Sequence, residues 1–335
     1  MTEEEGGGRV HLHVKNNRRG PEVFRTTPER WAAAEARHPE FADRVDVTID
    51  FDLDHFSESM ARATGLITWD LPTEDLARVA PNLRWIHIIG AGVGHLAPFD
   101  WLPPGVILTN NSGVHAAKAG EYGLMALLML NNALPRLVTA QRHHQWDHCF
   151  TSTIGGRTLL VIGAGEMGRA VASRARSAGM RTIGVRRRPT PMAEFDAVHG
   201  ISRLDDLLAG ADFVLMTLPD VPDTRGLMDS RRLGLMKRGA GLINMGRGPS
   251  LDHAALAGAL ASGHLSGAVL DVFDTEPVPP DSPLWDTPNL VMTPHMSSDD
   301  VDRYVDLTLD LVFENLGRLL AGRELRNVVD PELGY

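Results

Sequence analysis

The chain has 335 residues, of which 43% are hydrophobic, 23% charged and 6% aromatic, a composition that excludes collagen-like, mucin-like and wholly disordered classes. Its 33 basic residues against 43 acidic ones leave a formal net charge of −10, so it lacks the long-range positive field that gathers nucleic acid or anionic membrane. The single cysteine, Cys149, excludes an intramolecular disulfide and fits a reducing compartment.

The length suits roughly two domains, each able to bury a core. The opening eight residues are polar and acidic, unlike a secretory leader, so the expected address is the cytoplasm. Residues 3–5 are expected as a solvated tail, followed by the glycine tract at 6–8. Short apolar runs at 10–14, 45–49, 66–69, 85–89 and 106–109 read as strands, with helical stretches at 28–37 and 73–80 between some of them. Such alternation implies parallel strands joined by right-handed crossovers, so the chain up to about residue 115 reads as one doubly wound unit. A helical region then runs from about 115 to 146, which Pro135 is expected to kink or divide. Residues 115–134 are rich in Ala, Leu and Met, which predicts a helix buried between domains or subunits. Its apolar stretch at 124–130 is too short to cross a bilayer. Six further strands are expected at 157–162, 182–185, 213–217, 241–245, 267–270 and 290–293, an order that describes a dinucleotide-binding sheet. A final helix is expected over 299–320, with Gly322 just past it as a stop.

The run Leu159-Leu160-Val161-Ile162 leads directly into Gly163-Ala-Gly165-Glu166-Met167-Gly168, and a helical stretch follows. In this context Gly163 allows a tight turn, Gly165 lets the backbone approach a pyrophosphate, and Gly168 lets helix pack on strand. The helix N-terminus adds free N–H groups and a partial positive charge. An NAD-binding chain usually places Asp or Glu at the end of the next strand for the ribose 2′-hydroxyl. Here that position holds Arg186, Arg187 and Arg188. Guanidinium groups pair with a 2′-phosphate, which a carboxylate would repel. This predicts preference for NADP(H) over NAD(H), carried mainly by Arg186 and Arg187, the alternative being a solvated basic turn.

Three later strands each end in a chemically loaded residue: Arg247 in Asn244-Met-Gly-Arg247-Gly, Glu276 in Asp271-Val-Phe-Asp274-Thr-Glu276-Pro, and His295 in Met292-Thr-Pro-His295. Ligands of open α/β sheets bind outside the carboxyl ends of the strands, so topology lets these three side chains converge. The set suits reduction of a 2-oxo acid. Arg247 would stabilise the charge developing on the carbonyl oxygen and hold a carboxylate. His295 would donate the proton, and Glu276 would orient the imidazole and favour its protonated form.

These residues carry a family resemblance. Pro81-Asn-Leu-Arg-Trp-Ile, Gly90-Ala-Gly-Val-Gly94, Asn111-Ser-Gly-Val-His115-Ala, Ala119-Gly-Glu121-Tyr, Leu218-Pro219, Thr224-Arg-Gly-Leu, Met236-Lys-Arg-Gly-Ala and Ser282-Pro-Leu-Trp join the motifs above. The spacings of 29 residues from Arg247 to Glu276 and 19 from Glu276 to His295 fit the same pattern. From about residue 66 to 335 the chain resembles the D-isomer-specific 2-hydroxyacid dehydrogenases. The resemblance implies an α/β fold of two doubly wound domains. A Rossmann dinucleotide-binding domain at 116–295, including the interdomain helix region, would be inserted into a flavodoxin-like substrate domain made of 1–115 and 296–335. It implies Arg247, Glu276 and His295 as the catalytic set. Backbone N–H groups around Ala91, Gly92 and Val93 would hold the substrate carboxylate with Arg247 and His295. Glu166, Met167, Leu218, Pro219, Thr224, Met245 and His295 would lie along the dinucleotide, and Asp271 at the nicotinamide carboxamide. It also implies a homodimer with the 115–146 region in the interface.

Three departures from the family pattern bear on specificity: Gly94 where Asp or Asn is frequent, Arg186 where Asp is usual, and Met296-Ser-Ser-Asp-Asp after the histidine where small residues and Gly are frequent. Glyoxylate and hydroxypyruvate reductases are the nearest expectation. The alternatives are a dehydrogenase of bulkier 2-hydroxy acids and, in another class, a dinucleotide-sensing protein similar to the corepressors of this superfamily. Formate dehydrogenases pair the histidine with Gln, which Glu276 argues against. Phosphoglycerate dehydrogenase stays open, although no regulatory domain is expected after Tyr335. The partners expected are a small 2-oxo or 2-hydroxy acid and a second copy of the chain, with neither nucleic acid nor membrane. His143, His144, His148 and Cys149 cluster without a closed zinc spacing, so no metal is expected. Cys149 has no adjacent base in a recognised motif. His11 and His13 share one face of a strand, and Met125 and Met129 are expected as core. Trp146 is expected either to pack or to close over substrate.

Overall fold

Residues 9–335 are described in the computed structural model; the tail at 3–5 and the glycine tract at 6–8 lie outside them. The chain divides into two units, the described residues up to His115 together with Asp300–Tyr335, and Ala116–Asp299. The second crossing therefore falls four residues beyond the expected boundary at 295. The reason is local: the N–H groups of Met296 and Ser297 donate to the Asp271 carboxylate, at 3.0 and 2.9 Å, which ties them to the second unit.

In the first unit, β1 (Val10–Asn16), β2 (Val45–Phe51), β3 (Gly65–Thr68), β4 (Trp85–Ile88) and β5 (Ile107–Asn110) form a parallel sheet in the order β2-β1-β3-β4-β5. Helix α1 (Pro28–Arg37) starts as expected, with Thr27 accepting from the Arg30 N–H and Pro28 in the first turn. The short helices α2 (Phe56–Met60) and α3 (Leu76–Val79) follow. The helix expected over 73–80 shrinks to α3 because Asp75 takes a left-handed conformation, φ 54°. The C-terminal helix, Tyr304–Leu320, packs Val305, Leu309, Val312, Phe313 and Leu316 against Trp31, Phe41 and Trp85. It begins five residues later than expected, since the Asp300 carboxylate accepts from the N–H groups of Asp302 and Arg303 and closes a separate turn.

In the second unit the expected long helix is two: α4 (Ala116–Asn131) and α5 (Leu134–Arg142), bent by 64°. The break is at Ala133, φ 52°, and Pro135 sits in the first turn of α5, where its missing N–H costs nothing. Residues 143–146 are not helical. Among the described residues no single helix is long and apolar enough to cross a membrane. The sheet has seven parallel strands: β6 (Thr158–Ile162), β7 (Arg181–Val185), β8 (Ala197–His199), β9 (Phe213–Met216), β10 (Gly241–Asn244), β11 (Gly267–Leu270) and β12 (Leu290–Met292). Their order is β12-β11-β10-β9-β6-β7-β8. β8, an edge strand of three residues, is too short to leave a periodic signal. Between the strands run α6 (Glu166–Ser177), α7 (Leu204–Leu208), α8 (Ser230–Leu235) and α9 (His253–Ala261). The strand order reverses between β6 and β9, which is where an open sheet of this kind takes a ligand.

Candidate functional site

The turn after β6 is shaped for an anion. Gly163 has φ 102°, and a Cβ there would lie 2.8 Å from the Thr217 carbonyl oxygen. A Cβ on Gly168 would lie 2.6 Å from the Gly163 carbonyl oxygen, so only glycine lets α6 approach β6 this closely. The Thr217 hydroxyl donates to the same carbonyl at 2.6 Å and fixes the turn. At Gly165, by contrast, a Cβ would meet nothing within 4 Å, and no side chain caps the first turn of α6. A tight floor, an open middle and uncapped N–H groups fit a pyrophosphate. Glu166 is exposed and paired with Arg169 at 2.8 Å, while Met167 is half-buried. Beyond β7, Arg186 reaches back to the Met192 sulfur at 3.4 Å, and Arg187 and Arg188 are exposed. Leu218, Pro219 and Thr224 are half-buried on the loop after β9, and the Thr224 hydroxyl donates within that loop to the Pro219 carbonyl at 2.6 Å. Met245 is buried.

Glu276 and His295 meet as the sequence predicts: His295 Nδ1 lies 2.7 Å from Glu276 Oε2. The other carboxylate oxygen accepts from the Phe273 N–H at 2.8 Å, so Glu276 is aimed from behind. Arg247 is near enough to feel the charges of Glu276 and Asp220, which oppose the lowering of its pKa by burial. Its guanidinium donates only to the Gly246 carbonyl, at 2.7 Å, and it forms no ion pair among the described residues. A partly buried guanidinium without a counter-ion is a standing demand for an anion. Asp299, downstream of His295, has its carboxyl pushed up by burial and by Asp271, with His295 opposing.

Asp271 is tied into the protein at the end of β11. It is 0% exposed, and its two oxygens accept from the Thr293 hydroxyl at 2.6 Å and from the Met296 and Ser297 N–H groups. Tyr122 in turn donates to the Thr293 hydroxyl at 2.6 Å, and burial followed by the Asp271 charge raises the phenol pKa to about 12. The network fixes the turn in which His295 adopts φ 50°, a left-handed conformation disfavoured for any residue with a Cβ. Thr293 and Tyr122 were not legible as site residues; the only trace is that Thr293 stands two places before His295.

In the first unit, the loop after β4 presents Ala91 and Gly92 at or near the surface, with Val93 buried. The N–H groups of Ala91, Gly92 and Val93 donate to no group among the described residues, while Gly90 and Val93 carbonyls are used by Asn111 and Leu96. Successive unpaired N–H groups form a nest for a carboxylate. Trp69, which sequence reasoning passed over, lies against Gly90 and stacks on His95 with ring centroids 4.2 Å apart.

Among the described residues, no group of three or more His, Cys, Asp or Glu is placed to hold a metal ion. His13 Nδ1 bonds the Thr48 hydroxyl at 2.8 Å inside the first unit, and His11 lies 3.7 Å from Asp46. Trp146 and Phe150 are 89% and 93% exposed, with His148 between their rings. Met125, expected as core, is 43% exposed on α4, together with Leu128 at 41%.

The model of the D-isomer specific 2-hydroxyacid dehydrogenase, NAD binding domain, matches residues 124–297. A D-3-phosphoglycerate dehydrogenase of Mycobacterium tuberculosis is 32% identical over 283 residues, covering 83% of this chain and 53% of that protein, so the chain spans about half its length. A glyoxylate/hydroxypyruvate reductase B of Yersinia pestis is 32% identical over 268 residues, 78% of this chain and 81% of that protein. A D-isomer specific 2-hydroxyacid dehydrogenase from Xanthobacter autotrophicus Py2, solved in complex with NADPH and MES, superposes with a TM-score of 0.82 at 30% identity, covering 98% of this chain and 100% of that one.

Proposed function

Given a chain that belongs to the D-isomer specific 2-hydroxyacid dehydrogenase family, we propose that it reduces a small 2-oxo acid of the glyoxylate or hydroxypyruvate type to the D-2-hydroxy acid, with NADPH as reductant. The observation that carries this reading is the Arg247 guanidinium, left without a counter-ion beside the Glu276–His295 pair. An acid–base pair alone serves many reactions; the same pair next to an uncompensated positive charge serves a substrate that brings its own carboxylate and develops an oxyanion.

NADPH, when bound, supplies a hydride to the carbonyl carbon. Arg247 holds the carboxylate and stabilises charge on the carbonyl oxygen. His295 gives its Nε2 proton to that oxygen, so that 2-oxo acid, NADPH and one proton yield 2-hydroxy acid and NADP⁺. Glu276 keeps Nδ1 protonated and the ring oriented throughout. The unpaired N–H groups of Ala91, Gly92 and Val93 are assigned to the substrate carboxylate. The turn at Gly163, Gly165 and Gly168 with the N–H groups of Glu166 and Met167 takes the pyrophosphate, and Leu218, Pro219, Thr224 and Met245 line the nucleotide. Arg186, Arg187 and Arg188, with no carboxylate at the end of β7, take the 2′-phosphate. The NADPH complex of the Xanthobacter relative supports that preference. The assembly is a homodimer through the α4–α5 region.

The test is consumption of NADPH and NADH by the purified protein against glyoxylate, hydroxypyruvate, pyruvate, ketopantoate, phosphohydroxypyruvate and aromatic 2-oxo acids. The expected result is turnover with NADPH and a small substrate. Dinucleotide binding with no turnover on any member would favour the sensing reading. Replacing Arg186→Asp with Arg187→Ala is expected to move preference toward NADH by at least roughly tenfold in kcat/KM, about 1.4 kcal/mol. Unchanged cofactor kinetics would remove these arginines from the 2′-phosphate.

A further inference from the structure

The loop that carries Glu276 is held at a second point, two residues before it. Gly248, the residue after Arg247, lies so close to this loop that a Cβ there would fall within the Phe273–Asp274 peptide. On another side, His253 Nδ1 lies 3.1 Å from Asp274 Oδ2, and its imidazole stacks on the Phe273 ring with centroids 6.1 Å apart and planes 25° apart. His253 opens α9, whose start is fixed by Asp252 accepting from the Ala255 N–H at 2.9 Å. The other ring nitrogen, Nε2, is buried with no partner among the described residues, so the tautomer that leaves no buried N–H unpaired carries its proton on Nδ1 and donates to Asp274.

Phe273, clamped through its ring and its following peptide, donates its own N–H to Glu276 Oε1 at 2.8 Å, and Glu276 Oε2 meets His295 Nδ1 at 2.7 Å. We propose that His253 is a positioning residue: by holding Asp274 and Phe273 it aims the Glu276 carboxylate at the His295 imidazole. The consequence for turnover rests on the reading of His295 as proton donor; the positioning itself does not. The charged groups that act around the pair are Asp299, which feels His295 and Asp271, and Arg247, which feels Glu276 and Asp220. Seating Gly248 on the same peptide also makes the Arg247 turn and the Glu276 loop move as one body, so that the anion-holding and proton-giving groups keep their spacing.

The experiment uses the full chain with two readouts: titration of the His295 imidazole by NMR without substrate, and the pH profile of NADPH-driven reduction. His253→Ala is expected to displace the imidazole titration curve, to move the high-pH fall of the reduction rate to lower pH and to cut kcat roughly tenfold, with NADPH affinity kept within about twofold. His253→Asn, whose amide N–H can replace the Nδ1 donor, is expected to recover most of both. Asp274→Ala is expected to match His253→Ala and serves if the latter does not fold. An unmoved His295 titration in His253→Ala and Asp274→Ala overturns the proposal, whatever happens to thermal stability, because a purely structural contact would lower Tm and leave that titration alone. If the wild-type protein reduces no 2-oxo acid, the proposed activity fails while the imidazole titration still decides the positioning role.

Discussion

Arg247 brings a positive charge into a partly buried position and finds no counter-ion among the described residues. Glu276, whose charge Arg247 feels, is hydrogen-bonded to His295 at 2.7 Å and forms no ion pair with the guanidinium. This division of labour makes the carboxylate's charge, and not only its hydrogen bond, matter to the proton donor. Glu276→Gln is expected to weaken the protonated imidazole. The proposed reduction needs His295 protonated, so its rate falls at high pH, and the substitution moves that fall to lower pH. The pH dependence of kcat/KM checks it, and a superimposable profile would detach Glu276 from the imidazole. Arg247, Glu276 and His295 were legible because each follows a strand in an open parallel sheet, where topology alone delivers them to one rim. Asp271 was legible as an acid just past β11, but its bonds within the protein were not. Its bonds to Thr293, Met296 and Ser297 depend on a left-handed turn at His295 that no local residue preference announces.

Among the buried histidines of the first unit, which the proposed reaction does not use, His87 and His115 are lowered furthest. His87 in β4 is bonded to Thr109 and Asn111, and burial lowers its pKa to about 4. His115 stacks on Tyr304 at 3.9 Å and is likewise lowered to about 4 by burial, with Asp300 opposing. Both bind protons more weakly folded than unfolded, where 6.5 applies. Acid therefore favours the unfolded chain, and stability is lost as pH falls from about 6.5 toward 4, by about 3 kcal/mol for each group. Denaturant unfolding followed across that window is expected to show the loss, and His87→Asn to shallow it; a flat profile between those limits would contradict the burial argument. Interior strands were readable as apolar runs and α1 as a helical stretch, although its Thr27 cap shows only in the structure. Helix ends at Asp75, Ala133 and Asp300 were not, because single backbone conformations or side-chain turns set them. β8 escaped because three residues on an edge carry no period.

At the scale of the whole molecule, large apolar side chains that a chain normally covers stand in the open on one stretch of the second unit: Met125, Leu128, Leu134, Trp146 and Phe150. The segment bearing the last two is pinned to α5 by Arg136, whose guanidinium bonds both oxygens of Asp147 at 2.7 and 3.0 Å. An exposed apolar set on a pinned segment suits the homodimer interface proposed above. Sedimentation at micromolar concentration is expected to give a dimer, and Trp146→Ser with Phe150→Ser a monomer. A wild-type monomer would dismiss that assembly. The apolar character of α4 was visible in its composition, but not which of its sides packs on α6 and which stays open. Gly120 and Gly123 decide that, since they bring α4 against Ala170 and Val171 too closely for any Cβ to fit unstrained. The proposed reductase chemistry stands most directly on His295. Turnover of a 2-oxo acid and NADPH affinity, measured side by side for wild type and His295→Ala, are expected to separate: turnover lower by a factor of at least roughly 10², affinity within about twofold. Near-normal turnover in the variant, or loss of both properties together, would contradict it.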